Sequence, residues 1–243
     1  MSSSPLSFSR RDLQAFREYL HIKPELGDIE CTLIKKAQQY MKYIAWIPGL
    51  KMVALGNSTA LGHAHAESDM DLFIVTDTQS LWFVRILVTG IFSILRIRKT
   101  GENHAGKMCL SFFATTEGMD FSSFALKNDI YLYFRCVYLR PLVNYENTFE
   151  HFLESQTWAD FAEYAGEIRT NQSEYVVYER GKKENILSRL LNRLFKWLFL
   201  PRTMRSFEKL GKPEGVKIGK HILKFHDADR RKEIAEGVRK MGR

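Results

Sequence analysis

Residues 56–76, GNSTALGHAHAESDMDLFIVT, gather the side chains best suited to chemistry. Asp69 and Asp71 stand two apart at the head of an apolar run. On an extended strand that spacing sends both carboxylates to the same face. Held side by side they repel each other and need a cation between them. Mg²⁺ is the natural one, because it prefers hard oxygen ligands and keeps positions open for water and substrate phosphates. Upstream, Gly56-Asn57-Ser58 falls between a short apolar strand and a helical turn. A flexible turn, a hydroxyl and exposed backbone N–H groups form a phosphate cradle. A phosphate grip beside a dicarboxylate metal site is the equipment for phosphoryl or nucleotidyl transfer.

The surrounding periodicities say which elements must hold these groups. A helix is predicted over 10–20, ended by Pro24 and Gly27. A second begins near Asp28, with Ile29, Leu33, Ala37, Tyr40, Met41 and Ile44 at helical spacing, and Pro48-Gly49 stops it. Residues 51–55 read as a buried strand, 69–76 as a second and 107–114 as a third. Between the last two, 81–97 reads as a helix whose polar stripe is only Arg85, Thr89, Ser93 and Arg96, so most of its circumference must be covered. The aromatic-rich stretch 121–142 is read as helical, as are 149–167, 185–200 and a last helix starting near Asp227. Gly211, Pro213, Gly215 and Gly219 mark a loop before that last helix.

The strand, the turn, the ten-residue gap from Ser58 to Asp69 and the run Ser68-Asp69-Met70-Asp71-Leu72 together resemble the polymerase-beta-type nucleotidyltransferase superfamily, in its minimal form. The resemblance is tight over about 25 residues and loose over roughly 5–114. It implies an α+β fold, a small mixed sheet flanked by helices, with a mostly helical basic extension. The expected division is a nucleotidyltransferase-like domain over 1–125 and a C-terminal region over 126–243. It further implies a two-ion Mg²⁺ mechanism: Asp69 and Asp71 ligate the ions, with Asp71 bridging, while Gly56, Asn57 and Ser58 hold the triphosphate of an NTP. An acceptor oxygen then attacks the α-phosphorus in line and pyrophosphate leaves.

Two positions depart from the family pattern. Asn57 stands where a second glycine is usual, a mild change because Asn tolerates left-handed backbone. The third carboxylate usually lies on a neighbouring strand, and the matching strand offers Cys109 or Ser111 instead. Glu67, Glu117 or Asp120 supplies the missing charge from a loop, or the third ligand is absent and catalysis is weakened. A weakened chain would be a module binding nucleotide, RNA or DNA, or a protein partner. A third acid within reach and an open cleft lined by Lys or Arg would favour turnover.

Charge is unevenly distributed. The chain of 243 residues has a net charge of +8, but residues 181–243 carry 18 Lys and Arg against 7 Asp and Glu, leaving residues 1–180 at −3. Such a tail favours phosphate-bearing partners: nucleotides, nucleic acid or anionic lipid. With 45% hydrophobic and 26% charged residues, the composition excludes a largely disordered, collagen-like or disulfide-scaffold protein. Cys31, Cys109 and Cys136 form no metal-binding spacing, the start lacks the apolar core of a secretory leader, and 81–97 is too short and too charged to span a bilayer. A cytoplasmic location without an integral span is therefore expected. Several groups admit a sharper role than the bland one they more simply fill. His63 and His65 read as polar loop residues, Arg85 and Arg96 as a stripe on a packed helix, and the aromatic and basic 186–200 helix as core rather than a membrane or RNA face. His226-Asp227 lacks the partners of a phosphohydrolase site, and Asp227 or Asp229 is read as a helix cap. Arg230 or Lys224 would reach nucleotide phosphate only if the last helix folds back.

Overall fold

The computed structural model describes residues 4–101, 103–225 and 229–241. The N-terminal half runs α1 (Arg10–Leu20), α2 (Asp28–Met41), β1 (Leu50–Leu55), α3 (Asn57–Leu61), β2 (Met70–Thr76), α4 (Leu81–Ile94) and β3 (Met108–Thr115). It continues through α5 (Ile130–Val137), β4 (Arg140–Asn144), α6 (Thr148–Glu154), α7 (Ala165–Tyr175) and the long α8 (Ile186–Lys209). The hairpin β5 (Val216–Ile218) and β6 (Ile222–Phe225) and the closing α9 (Arg231–Met241) complete it. One six-stranded sheet results, in the order β4-β1-β2-β3-β6-β5. Among the described strands only the β2–β3 pair is parallel, and α4 supplies the crossover that a parallel pair requires.

Local chemistry accounts for the first elements. Ser9 caps α1 reciprocally: the Asp12 backbone N–H donates to the Ser9 hydroxyl, and the Ser9 N–H donates to the Asp12 carboxylate at 2.8 Å. The strands β1 and β2 are covered on both faces, which is why they read as continuous apolar runs rather than alternating ones. On one face Val53, Leu72, Ile74 and Phe113 pack with Ile34 and Met41 of α2 and Val84, Val88 and Phe92 of α4. On the other, Met52, Phe73 and Phe112 meet Phe16 of α1, Phe134 of α5 and Phe152 of α6. Phe73, Phe112, Phe121 and Phe152 form the aromatic centre of that second layer, with ring centroids 4.7–5.5 Å apart.

The fold is the expected α+β arrangement of a small mixed sheet flanked by helices, with α8 and α9 making the C-terminal region largely helical. Three local expectations need correction. The stretch 121–142 is not one helix: α5 is only its middle, and Arg140–Asn144 forms β4, an edge strand that tolerates Pro141. The stretch 149–167 breaks after α6. There Gln156 takes over the backbone, accepting from Phe121 N and donating to Met119 O and Phe152 O. The glycine-rich loop after α8 contains β5 and β6, and β6 pairs with β3. Strands from both sides of residue 125 therefore share one sheet, so the sheet does not divide at the expected boundary. The start of the last helix near Asp227, and the His226-Asp227 pair, lie outside the described residues; the described helix begins at Arg231. Among the described residues no helix is long and apolar enough to cross a membrane.

Candidate metal and phosphate site

The head of β2 is held from three directions. Gly56 N–H donates to Asp71 O at 3.0 Å, Met70 N–H donates to Lys107 O at 2.8 Å, and the Thr59 hydroxyl donates to Asp69 O at 3.2 Å. These bonds anchor the backbone at both acids, independently of their side chains. Asp69, Asp71 and Cys109 each offer a ligand atom, and these atoms all lie within 4.8 Å of one another. The two carboxylates therefore lie close together. The structure adds the thiol because Asp71 and Cys109 are direct partners in the parallel β2–β3 ladder. Past that pair β3 carries an extra residue, since Phe73 faces Phe112. This bulge puts both Cys109 and Phe112 on the face that Asp71 and Phe73 share.

Of the two positions considered for a third acid, Cys109 is the one in the cluster. Glu117 lies beyond the opposite end of β3, where it accepts from the Thr78 hydroxyl and sits 3.5 Å from His221. Asp120 is spent on Ser122, accepting from its N–H and its hydroxyl. Glu67 is exposed in the preceding loop and is not among the clustered groups. Burial and the nearby Asp71 carboxylate push the Cys109 thiol up to about 12, so it stays protonated at neutral pH unless a cation joins it.

Lys99, carried by the segment that follows α4, places its Nζ 2.6 Å from Asp69 Oδ2. Burial works against its ammonium charge, but the bond to Asp69 more than offsets this and the pKa is raised. Asn57 adopts the left-handed backbone anticipated for it, φ 52°, and its Nδ2 donates to Asp71 Oδ2 at 2.8 Å. One acid is therefore answered by an ammonium and the other by an amide. Ser58 is half-buried, and its hydroxyl makes no hydrogen bond to the described residues.

Beside Asn57 a cleft of about 220 Å³ opens, and Arg135, Lys224, Arg230 and Arg231 line it. These cations come from α5, β6 and the start of α9, so the last helix does fold back toward the phosphate turn. Arg135 lies over Gly56: a Cβ on that glycine would sit 3.6 Å from Arg135 Nε. Its guanidinium also stacks at 5.3 Å on Phe112. Lys224 donates to Gly215 O at 2.7 Å, and burial together with Arg135 and Arg231 lowers its pKa to about 8. Sequence reasoning had no signal for Arg135, which sits within the misread 121–142 stretch. The two histidines separate: His63 lines the cleft, and burial lowers its pKa, whereas His65 is exposed and accepts from Glu67 N.

The two carboxylates suit a hard divalent cation, and the four basic residues suit a polyphosphate. The thiol does not suit Mg²⁺ and is the member of the set that a softer ion would prefer. No family model, curated protein or solved structure matches the chain.

Proposed function

We propose that the chain is a divalent-cation-dependent nucleotidyltransferase of the polymerase-beta type, which moves a nucleoside monophosphate from an NTP to an acceptor hydroxyl. The observation that carries this reading is the juxtaposition of the Asp69–Asp71 pair with the cationic cleft, bridged by the Gly56-Asn57-Ser58 turn. Asp69 and Asp71 would hold Mg²⁺, which supplies charge neutralisation and polarises the phosphate oxygens when bound. Arg135 and Lys224 face the outgoing phosphates, and Ser58 offers a hydroxyl where the chain turns toward them. The acceptor oxygen forms a bond to the α-phosphorus as the bond to pyrophosphate breaks. Lys99 must leave Asp69 for a cation to enter, and its exposed stem allows that movement.

Thermal unfolding with each NTP and Mg²⁺, alongside pyrophosphate release, tests the proposal. Wild type should gain about 5 °C at saturating nucleotide, and Asp71→Asn should lose the gain and the turnover. Identical behaviour of wild type and Asp71→Asn with every NTP would sink the reading.

A second reading rests on Cys109. With a thiol where an acid assists the incoming hydroxyl, the site binds nucleotide and serves as a module for nucleic acid or a protein partner without turnover. A nucleotide-dependent shift without pyrophosphate release selects it, and RNA affinity falling steeply with salt identifies the partner. Cys109→Asp should then raise divalent affinity and restore release. No release from a folded variant that still binds NTP means that the thiol is not what withholds turnover.

A further inference from the structure

The other layer of the molecule holds a second basic opening whose larger cavity contains no residue of the metal and phosphate site, while its smaller neighbour reaches Lys99 and Cys109. A cavity of about 570 Å³ lies between α4, α8 and the β5–β6 hairpin, and a neighbouring one of about 390 Å³ shares Arg85, Arg98 and Phe225 with it. Arg85 is half-buried, with its guanidinium carbon 4.9 Å from the Trp82 ring centroid and 4.6 Å from that of Phe225. A guanidinium held against aromatic rings still has N–H donors to offer an acceptor. Among the described residues neither Arg85 nor Arg98 has a hydrogen bond or an ion pair with a carboxylate, and no Asp or Glu lines either cavity. Burial and the like charge of Arg98 pull the Arg85 pKa down to about 10. A half-buried guanidinium with a like-charged neighbour and no counter-charge is costly and is relieved by an anion. The rest of the larger cavity is mostly apolar, with Ile86, Phe199, Phe207, Leu210 and Ile218 in its wall, and Arg202 of α8 adds a third cation to the lining.

We infer that this cavity is a binding site for an anionic amphiphile, a phosphate ester on an apolar body. Its phosphate sits at Arg85 and Arg98, and its hydrocarbon part lies among Phe199, Phe207 and Phe225. Such a ligand exists free or as a lipid in a bilayer. The outward side of α8 is compatible with the second source, since Leu187, Leu190, Leu194 and Trp197 are exposed along it beside Arg189, Arg193 and Lys196. The inference does not depend on the nucleotide site.

The full chain, in buffer without nucleotide or divalent ion, is melted with decyl phosphate below its micellar concentration, and separately with inorganic phosphate. Decyl phosphate at a large excess over Kd should raise the wild-type midpoint by about 5 °C. Inorganic phosphate should give a clearly smaller shift. The decyl phosphate shift should vanish in Arg85→Gln and fall at least severalfold in Arg98→Ala, an exposed position where folding is not at issue. No wild-type shift, or an undiminished shift in Arg98→Ala, overturns the site. An equal shift with inorganic phosphate overturns the amphiphilic part. Sedimentation with phosphatidylcholine vesicles doped with phosphatidic acid separates the sources: binding lost in Arg98→Ala supports a bilayer lipid at this site. A decyl phosphate shift without vesicle binding supports a free ligand. Vesicle binding that Arg98→Ala leaves intact overturns a lipid headgroup at this cavity.

Discussion

The two basic openings on opposite layers of the sheet differ in how their charges are answered. Around the Asn57 cleft, most cations are already engaged. Arg231 binds Asp129 and Asp229, each at 2.7 Å, Arg230 binds Glu233 at 2.8 Å, and Lys224 binds a carbonyl. Around the α4–α8 cavity, Arg85 has two aromatic rings and the like-charged Arg98 beside it. Paired cations hold architecture together, whereas unpaired ones store a demand for a ligand. The first opening is thus a wall built to stand without its guest, and the second is stabilised by what enters it.

Substitutions that remove one charge from each region should move stability in opposite directions. The largest effect is expected at Asp129, whose fully buried carboxylate binds Arg231 and also accepts from Leu126 N and from Leu132 N at the start of α5. Asp129→Ala should cost about 3 kcal/mol in urea unfolding, because it strands a half-buried guanidinium and removes a helix cap. A cost below about 1 kcal/mol would mean that Arg231 is held by Asp229 alone.

Lys224 gives an intermediate, pH-dependent effect. Its pKa is about 8 in the folded chain and 10.5 in the reference state, so between these values the unfolded chain binds more protons and stability rises with pH. The charge is a burden below pH 8, and that burden is relieved as the folded Lys224 loses its proton. Cys109 and Cys136, held up to about 12 by burial, act oppositely once the unfolded thiols ionise near pH 9, and Tyr133 and Tyr145 do the same near pH 10, so the Lys224 effect is read over pH 8–10 as the difference from the Lys224→Met curve. The rise attributable to Lys224 should be on the order of 1–2 kcal/mol and should be missing in Lys224→Met. Parallel pH curves for the two proteins would refute it.

The smallest effect has the opposite sign. Arg85→Met, in buffer without anions that could fill the cavity, should leave the unfolding midpoint equal or slightly higher, by up to about 1 kcal/mol, since it removes an uncompensated charge and keeps an apolar stem. A loss comparable to that of Asp129→Ala would show that the Trp82–Arg85–Phe225 stack is structural and would erase the contrast between the two regions.

What the sequence made legible follows from how local each signal is. The bounds of α1 coincide with the expected ones because Ser9, Asp12 and the apolar spacing act within a few residues. The carboxylate pair was visible because β1 and β2 are adjacent in sequence and buried on both sides, so that each is a plain apolar run. The strands β4 and β6 were not visible. Pro141 and the aromatic neighbours of β4 give no period, and β6 is a short segment whose place depends on pairing with β3, far upstream. Choosing between Cys109 and Ser111 needed the β2–β3 register, a property of two strands together. Arg135 and Arg231 enter the cleft from elements distant in the chain, and no spacing in the sequence connects them to Asp71.

The pairing of β6 with β3 also sets an order of assembly during synthesis. The acidic pair and the phosphate turn belong to strands complete by Thr115, while Lys224 and Arg231 are made only after α8 has been translated. A nascent chain on the ribosome thus carries the two carboxylates long before Lys224 and Arg231 arrive to face them. Any premature stop between those points would leave acids without a wall, in a product whose sheet ends on the raw edge of β3.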